Sequence, residues 1–157
     1  MVKVDSFLRE NGPEGGAYYK INNGNGEEIR KIISKYKELL YGYISITYNG
    51  NEILGEDFLT RLDDLWGPVV DIVVEFMKNN FASGPFADNN TEYTLKPADD
   101  QMVEFELSGH SYFLPKKEFL FETLNGAKEF YTHYIEATKT DYYIKDLEKI
   151  ETYMEKL

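Results

Sequence analysis

Four pairs of carboxylates stand close together in the middle of this 157-residue chain: Asp63-Asp64, Asp71 with Glu75, Asp99-Asp100, and Glu104 with Glu106. Two carboxylates facing each other across a cleft, in surroundings that push their pKa values apart, can serve as acid and base in glycoside hydrolysis. The spacings favour solvated faces instead. Asp71 and Glu75 are one helical turn apart, where like charges repel by a few tenths of a kcal/mol. Glu104 and Glu106 share one side of a strand at i and i+2. A carboxylate-dependent hydrolase, with or without a divalent cation, is therefore the alternative and not the first reading.

The other chemical motifs are incomplete. Asp88-Asn89-Asn90-Thr91-Glu92-Tyr93 opens like a calcium loop, with oxygen donors at positions 1, 3 and 5. Tyr93 stands where the loop needs glycine, and Asp99 where it needs a bidentate glutamate. These departures argue against an EF-hand, while a weak irregular cation site in the same stretch stays open. His110 and His133 have no metal-ligand spacing between them, and no HExxH, HxH or GxSxG occurs. Glu129 and Glu136 flank His133 at helical distances, so an exposed ion pair accounts for it. Gly24-Asn25-Gly26 lacks the third glycine of a dinucleotide loop and is followed by Glu27-Glu28, which would repel phosphate. There is no cysteine, hence no disulfide, thiolate site or Cys nucleophile. No metal, cofactor or catalytic residue is assigned.

What remains is charge. Residues 52–108 hold 13 acidic side chains against Arg61, Lys78 and Lys96, a net charge of −10 out of −11 for the whole chain. Such a one-signed segment attracts basic partners and repels nucleic acid and anionic lipid. The Met1–Glu10 stretch has no apolar core of a signal peptide, and Val69–Met77 is too short and too charged to span a membrane. A cytoplasmic protein is expected. Thirteen tyrosines against one tryptophan suit half-buried positions and interfaces.

These side chains need elements to hold them. Residues 11–26 are rich in Gly and Asn and read as turns, with a short strand at Ala17–Ile21. Ile29, Ile32, Ile33, Tyr36, Leu39 and Leu40 keep helical spacing from Glu27 until Gly42 ends the run. Tyr43–Tyr48 alternates as a strand, Asn49-Gly50 is a type I′ hairpin turn, and Asn51–Leu54 returns. A long helix follows, with Glu56 and Asp57 in its first turn and a kink or break at Gly67-Pro68. Its stripe of Trp66, Val69, Val73, Phe76 and Met77 should lie against a sheet face carrying Ile44, Ile46, Val103 and Phe105. Asn79–Asn90 reads as a loop. Strands are expected at Glu92–Lys96, Met102–Leu107 and His110–Leu114. Pro115 then opens a helix running to about Thr138. Asp141 caps a last one with the face Ile144, Leu147, Ile150, Met154 and Leu157. The fold expected is a single α+β domain over 1–157: an antiparallel sheet against a central kinked helix, with further N- and C-terminal helices.

Ile44-Ser-Ile-Thr-Tyr-Asn-Gly-Asn-Glu-Ile-Leu-Gly, with Leu62-Asp-Asp-Leu-Trp66 after it, resembles small bacterial immunity-type proteins of polymorphic toxin systems. Leu114-Pro-Lys-Lys-Glu-Phe-Leu120 and Gly126-Ala-Lys-Glu-Phe-Tyr131 look like their C-terminal helix. The likeness covers about 42–137. It implies a small, acidic, non-catalytic protein that binds and neutralises a toxin, and it transfers no individual functional residue. Placed on the elements above, Asp88, Glu92, Asp99, Asp100, Glu104 and Glu106 should form one acidic, partner-binding patch, with the Tyr142-Tyr143 end of the last helix and the Asn79–Asn90 loop as next candidates. A regulatory subunit of a homo-oligomer, joined through tyrosine-rich helices, is a further alternative.

Overall fold

The computed structural model describes all residues except 23, 25 and 87–90. Val2, Val4, Ser6 and Leu8 point inward and are buried, while Lys3, Asp5, Phe7 and Arg9 alternate outward, so the N-terminal segment is strand β1 (Val2–Arg9). It is followed by β2 (Tyr18–Lys20), helix α1 (Gly26–Tyr36), the hairpin β3 (Tyr41–Tyr48) and β4 (Asn51–Leu54), the short β5 (Thr60–Arg61), and helix α2 (Leu62–Asn79). Then come β6 (Ala82–Phe86), β7 (Thr91–Pro97), β8 (Met102–Leu107), β9 (His110–Pro115), α3 (Lys116–Thr138) and α4 (Ile144–Glu155). This is an α+β fold, and every strand pairing in it is antiparallel.

The strands form two sheets where one was expected. The first has the order β2-β1-β3-β4, with β5 also on β3; the second has the order β6-β7-β8-β9. The β3–β4 hairpin does not join the later meander because β1 occupies the other edge of β3, from Val2 opposite Tyr48 to Leu8 opposite Gly42. Gly42 therefore does not end a helix. It lies in a strand so close to Phe7 that a Cβ would overlap the Phe7 carbonyl oxygen. The helix before it stops at Tyr36, and Leu39 is left 53% exposed.

The long helix also starts later than expected. Glu56–Phe58 is a separate 3₁₀ turn, so Asp63 and Asp64 occupy the first turn of α2, where the positive helix end favours them. The helix runs unbroken through Pro68. The proline removes one N–H, and the carbonyl it frees belongs to the exposed Asp64, within reach of water. Trp66, Val69, Val73 and Phe76 are buried as expected, as are Ile44, Ile46, Val103 and Phe105. Met77 is only partly buried against this core. Ile46, Val69, Val73 and Phe105 line one void of about 10 Å³ together with Phe119, so α2, α3 and both sheets meet there.

The turns follow the sequence. Asn49 (φ 50°) with Gly50 (φ 83°), and Ser108 (φ 52°) with Gly109 (φ 80°), have the paired positive φ of type I′ hairpins. Pro115 is the extended cap residue of α3 and not its first turn. Asp141 lies outside the last helix, whose cap position is Tyr143, and Ile144 is 40% exposed. Among the described residues no helix is long and apolar enough to cross a membrane.

Candidate functional site

The expected acidic patch lies on the outward face of the second sheet. In β8, Val103, Phe105 and Leu107 are buried, so Met102, Glu104 and Glu106 point the other way. Register places Glu106 opposite Thr94 and Glu104 opposite Lys96. Glu92 is then the diagonal neighbour of Glu106, within reach of a long side chain. Asp99 and Asp100 are in the β7–β8 turn, so the acids form a streak along this hairpin rather than a compact cluster. Asp88 lies outside the described residues.

The members of the streak are not equivalent. Lys96 Nζ sits 3.6 Å from Glu104 Oε2 and compensates it locally. Asp99 Oδ1 accepts the backbone N–H groups of Gln101 and Met102, both at 2.8 Å, and so builds the turn. Glu92, Asp100 and Glu106 make no ion pair among the described residues. Beside Glu104, on the neighbouring β9, Phe113 is 54% exposed. Its outward position follows from the alternation of His110–Leu114, with Leu114 buried, a signal of apolar pattern that charge alone does not reveal.

A second locus is a cleft of about 380 Å³ at the Tyr142-Tyr143 end of the last helix. Lys37 and Glu38 reach it from the turn after α1, Arg61 from β5, and Asp63 and Asp64 from the first turn of α2. Tyr134, Thr138, Thr140, Tyr142 and Tyr143 close it from the α3–α4 corner. The Asp63 side chain is only 4% exposed. Its Oδ2 receives Arg61 Nη2 at 3.5 Å and the Tyr143 hydroxyl at 3.4 Å; its Oδ1 is buried and has no hydrogen-bond partner. Burial first, and then the neighbouring Asp64, raise the Asp63 pKa, while Arg61 and the Tyr143 hydroxyl pull against them. The same burial raises the Tyr143 phenol well above its ordinary range, reinforced by Asp63. The ring of Tyr143 stands nearly perpendicular to those of Tyr134 and Tyr142, with centroids 5.2 and 5.4 Å away.

The remaining sequence candidates separate. Asp71 pairs with Lys149 of α4 at 3.1 Å and ties two helices together. His133 donates from Nδ1 to the Glu129 carbonyl at 2.8 Å, a bond to the backbone and not the ion pair expected from its flanking glutamates. Among the described residues no group of three or more His, Cys, Asp or Glu side chains is arranged to hold a metal ion. Compared with protein-family models, with curated proteins and with solved structures, the chain matches none.

Proposed function

We propose that this chain is an acidic, non-catalytic binding protein of the immunity type, acting in the cytoplasm, which neutralises a toxin by covering a basic surface. The observation that carries the reading is the outward face of the second sheet, where Phe113 on the edge strand β9 stands beside Glu104 of β8, with Glu106, Glu92 and Asp100 further along the same hairpin. An exposed aromatic ring beside charged side chains is a common plan for a protein interface: the ring supplies buried area, and the charges supply encounter rate and selectivity. Nucleic acid and anionic membrane are repelled by the same charges.

The test is kinetic. A partner captured from the native host is mixed with the wild-type protein and with a variant carrying Asp99→Asn, Asp100→Asn, Glu104→Gln and Glu106→Gln. The variant is expected to associate about tenfold or more slowly at low salt, and to lose most of the salt dependence of the on-rate. Asn at position 99 keeps the acceptor that the turn requires, so folding is retained. Equal on-rates for the two proteins would place the binding surface elsewhere.

A further inference from the structure

We infer that the cleft between the α2 N-terminus and the α3–α4 corner is a receptor site for an organic cation: a guanidinium or primary ammonium on a short alkyl stem. This does not depend on the acidic face of the second sheet or on the identity of any toxin.

Three observations point to this chemistry. The first is Asp63, a carboxylate almost wholly out of solvent and lining the cleft, with one oxygen lacking any hydrogen-bond partner. An ionised oxygen left in this state is unfavourable, and a charged donor is the group that compensates it best. The second is the balance of charge on the walls. Asp63, Asp64 and Glu38 outnumber Arg61 and Lys37. Arg61 lies near both aspartates, at 3.5 Å from Asp63 and 3.4 Å from Asp64, but its Nε is buried without a hydrogen-bond partner. Both distances are long for charge-assisted bonds, so these carboxylates keep capacity for a second donor.

The third is the corner of phenol rings. Tyr143 meets Tyr134 at an interplanar angle of 75° and Tyr142 at 73°. These rings touch edge to face, and all three line the cleft beside Asp63, where a ring face left open attracts an alkylammonium or guanidinium head. Tyr142 is 79% exposed, an open rim that a ligand would cover. A volume of about 380 Å³ falls within the range of small-molecule sites and exceeds what one side-chain head needs. An anionic ligand would find Lys37 and the Nε of Arg61, but Glu38, Asp63 and Asp64 against it.

Two sources could present such a head: a free amine, or a lysine or arginine side chain of a protein. Titration of the ¹⁵N-labelled protein with agmatine, and separately with an N-acetylated, C-amidated arginine, tests the shared chemistry and tells the sources apart. Saturable shifts confined to residues around Tyr134, Thr138, Tyr142 and Tyr143 are expected, with millimolar dissociation constants. Equal affinity for the two probes assigns the site to a protein side chain. Agmatine binding about tenfold tighter assigns it to a free amine.

Three variants give the site its signature. Asp63→Asn weakens agmatine about tenfold or more. Arg61→Gln, which frees both carboxylates, tightens it. Tyr142→Ala removes an exposed ring with no consequence for folding and weakens it severalfold, so the inference stays falsifiable even where a change at Asp63 disturbs the fold. The inference is overturned if agmatine gives no saturable shifts, if n-butanol or butyrate shifts the same resonances as strongly, or if Tyr142→Ala binds agmatine like the wild type. None of these outcomes bears on the association kinetics of the sheet face, so either reading can fail alone.

Discussion

Asp63 sits in the first turn of α2, where the helix end favours a negative charge, and beneath three tyrosines, where burial disfavours one. Burial prevails: the folded carboxyl ionises above its ordinary value of 3.8. In the unfolded chain Asp63 loses its proton near that value, and in the folded protein it does so later. Across this window the native state binds more protons, so this residue's contribution falls as pH rises and levels off above the folded pKa. Asp63→Asn keeps an acceptor for Tyr143 and Arg61 without the charge. Denaturant melts between pH 4 and 7 should show the variant gaining on the wild type as pH rises. If the wild type gains instead, attraction to Arg61 outweighs burial.

Helices show what a single glycine does when its surroundings differ. A Cβ at Gly67, in α2, would meet no atom beyond its chain neighbours within 4 Å, but it would face the ring of Pro68, which crowds the Cβ of a helical residue before it. The helix-propensity gain of alanine there, about 0.5–1 kcal/mol, is therefore offset by that crowding. A Cβ at Gly126, in α3, would meet Val4 Cγ1 at 2.8 Å and Trp66 Cη2 at 3.1 Å. Overpacking of this kind costs about 1–3 kcal/mol and outweighs the propensity gain. Thermal melts should therefore leave Gly67→Ala near the wild type and Gly126→Ala well below it; a stabilised Gly126→Ala would mean that α3 does not approach β1 this closely.

The elements that sequence periodicity recovered are those whose inward positions are all apolar. β3, β7 and β8 belong here, while α2 and α3 are long enough to show their stripes despite a buried Asp63 and Thr123. β1 is hidden in the sequence because Ser6 interrupts its buried row, and the reason for that serine is tertiary: Trp66 Nε1 donates to Ser6 Oγ at 2.8 Å across 60 residues. β6 reads as loop because Ala82-Ser-Gly-Pro-Phe looks like a turn, yet Pro85 is tolerable in a strand at the edge of its sheet. With β1 unseen, the pairing that separates the two sheets could not be inferred. The acidic streak was legible from i, i+2 spacing in β8. The cleft was not, because its walls come from the turn after α1, β5, α2 and the α3–α4 corner, brought together only by the fold.

At the level of the molecule, acidity and the tyrosines act on each other. Tyr43, Tyr93, Tyr131, Tyr134 and Tyr143 all have phenols raised above the ordinary 10.0, by burial first and then by negative neighbours. Unfolded, they would ionise near that value. Above it the native state holds the extra protons, so unfolding releases them and stability falls as pH climbs. An alkaline titration followed by phenolate absorbance should run in two waves, the second coinciding with loss of far-ultraviolet ellipticity. A single wave with the ellipticity intact would show these rings to be open to water in the native state.

The close approach of α3 to β1 also sets an order in time. The Val2 amide donates to Glu118 Oε1 at 2.7 Å, across 116 residues of chain. At typical speeds of ribosomal synthesis the two partners emerge roughly 6–23 seconds apart. Until α3 has left the exit tunnel, Val4 and Trp66 lack the surface that Gly126 presses against them. The nascent chain can pair β1 with β3 early, yet it must wait with one face of that sheet uncovered, a period in which a chaperone has something to hold. The last third of the polypeptide thus decides when the first strand becomes permanent.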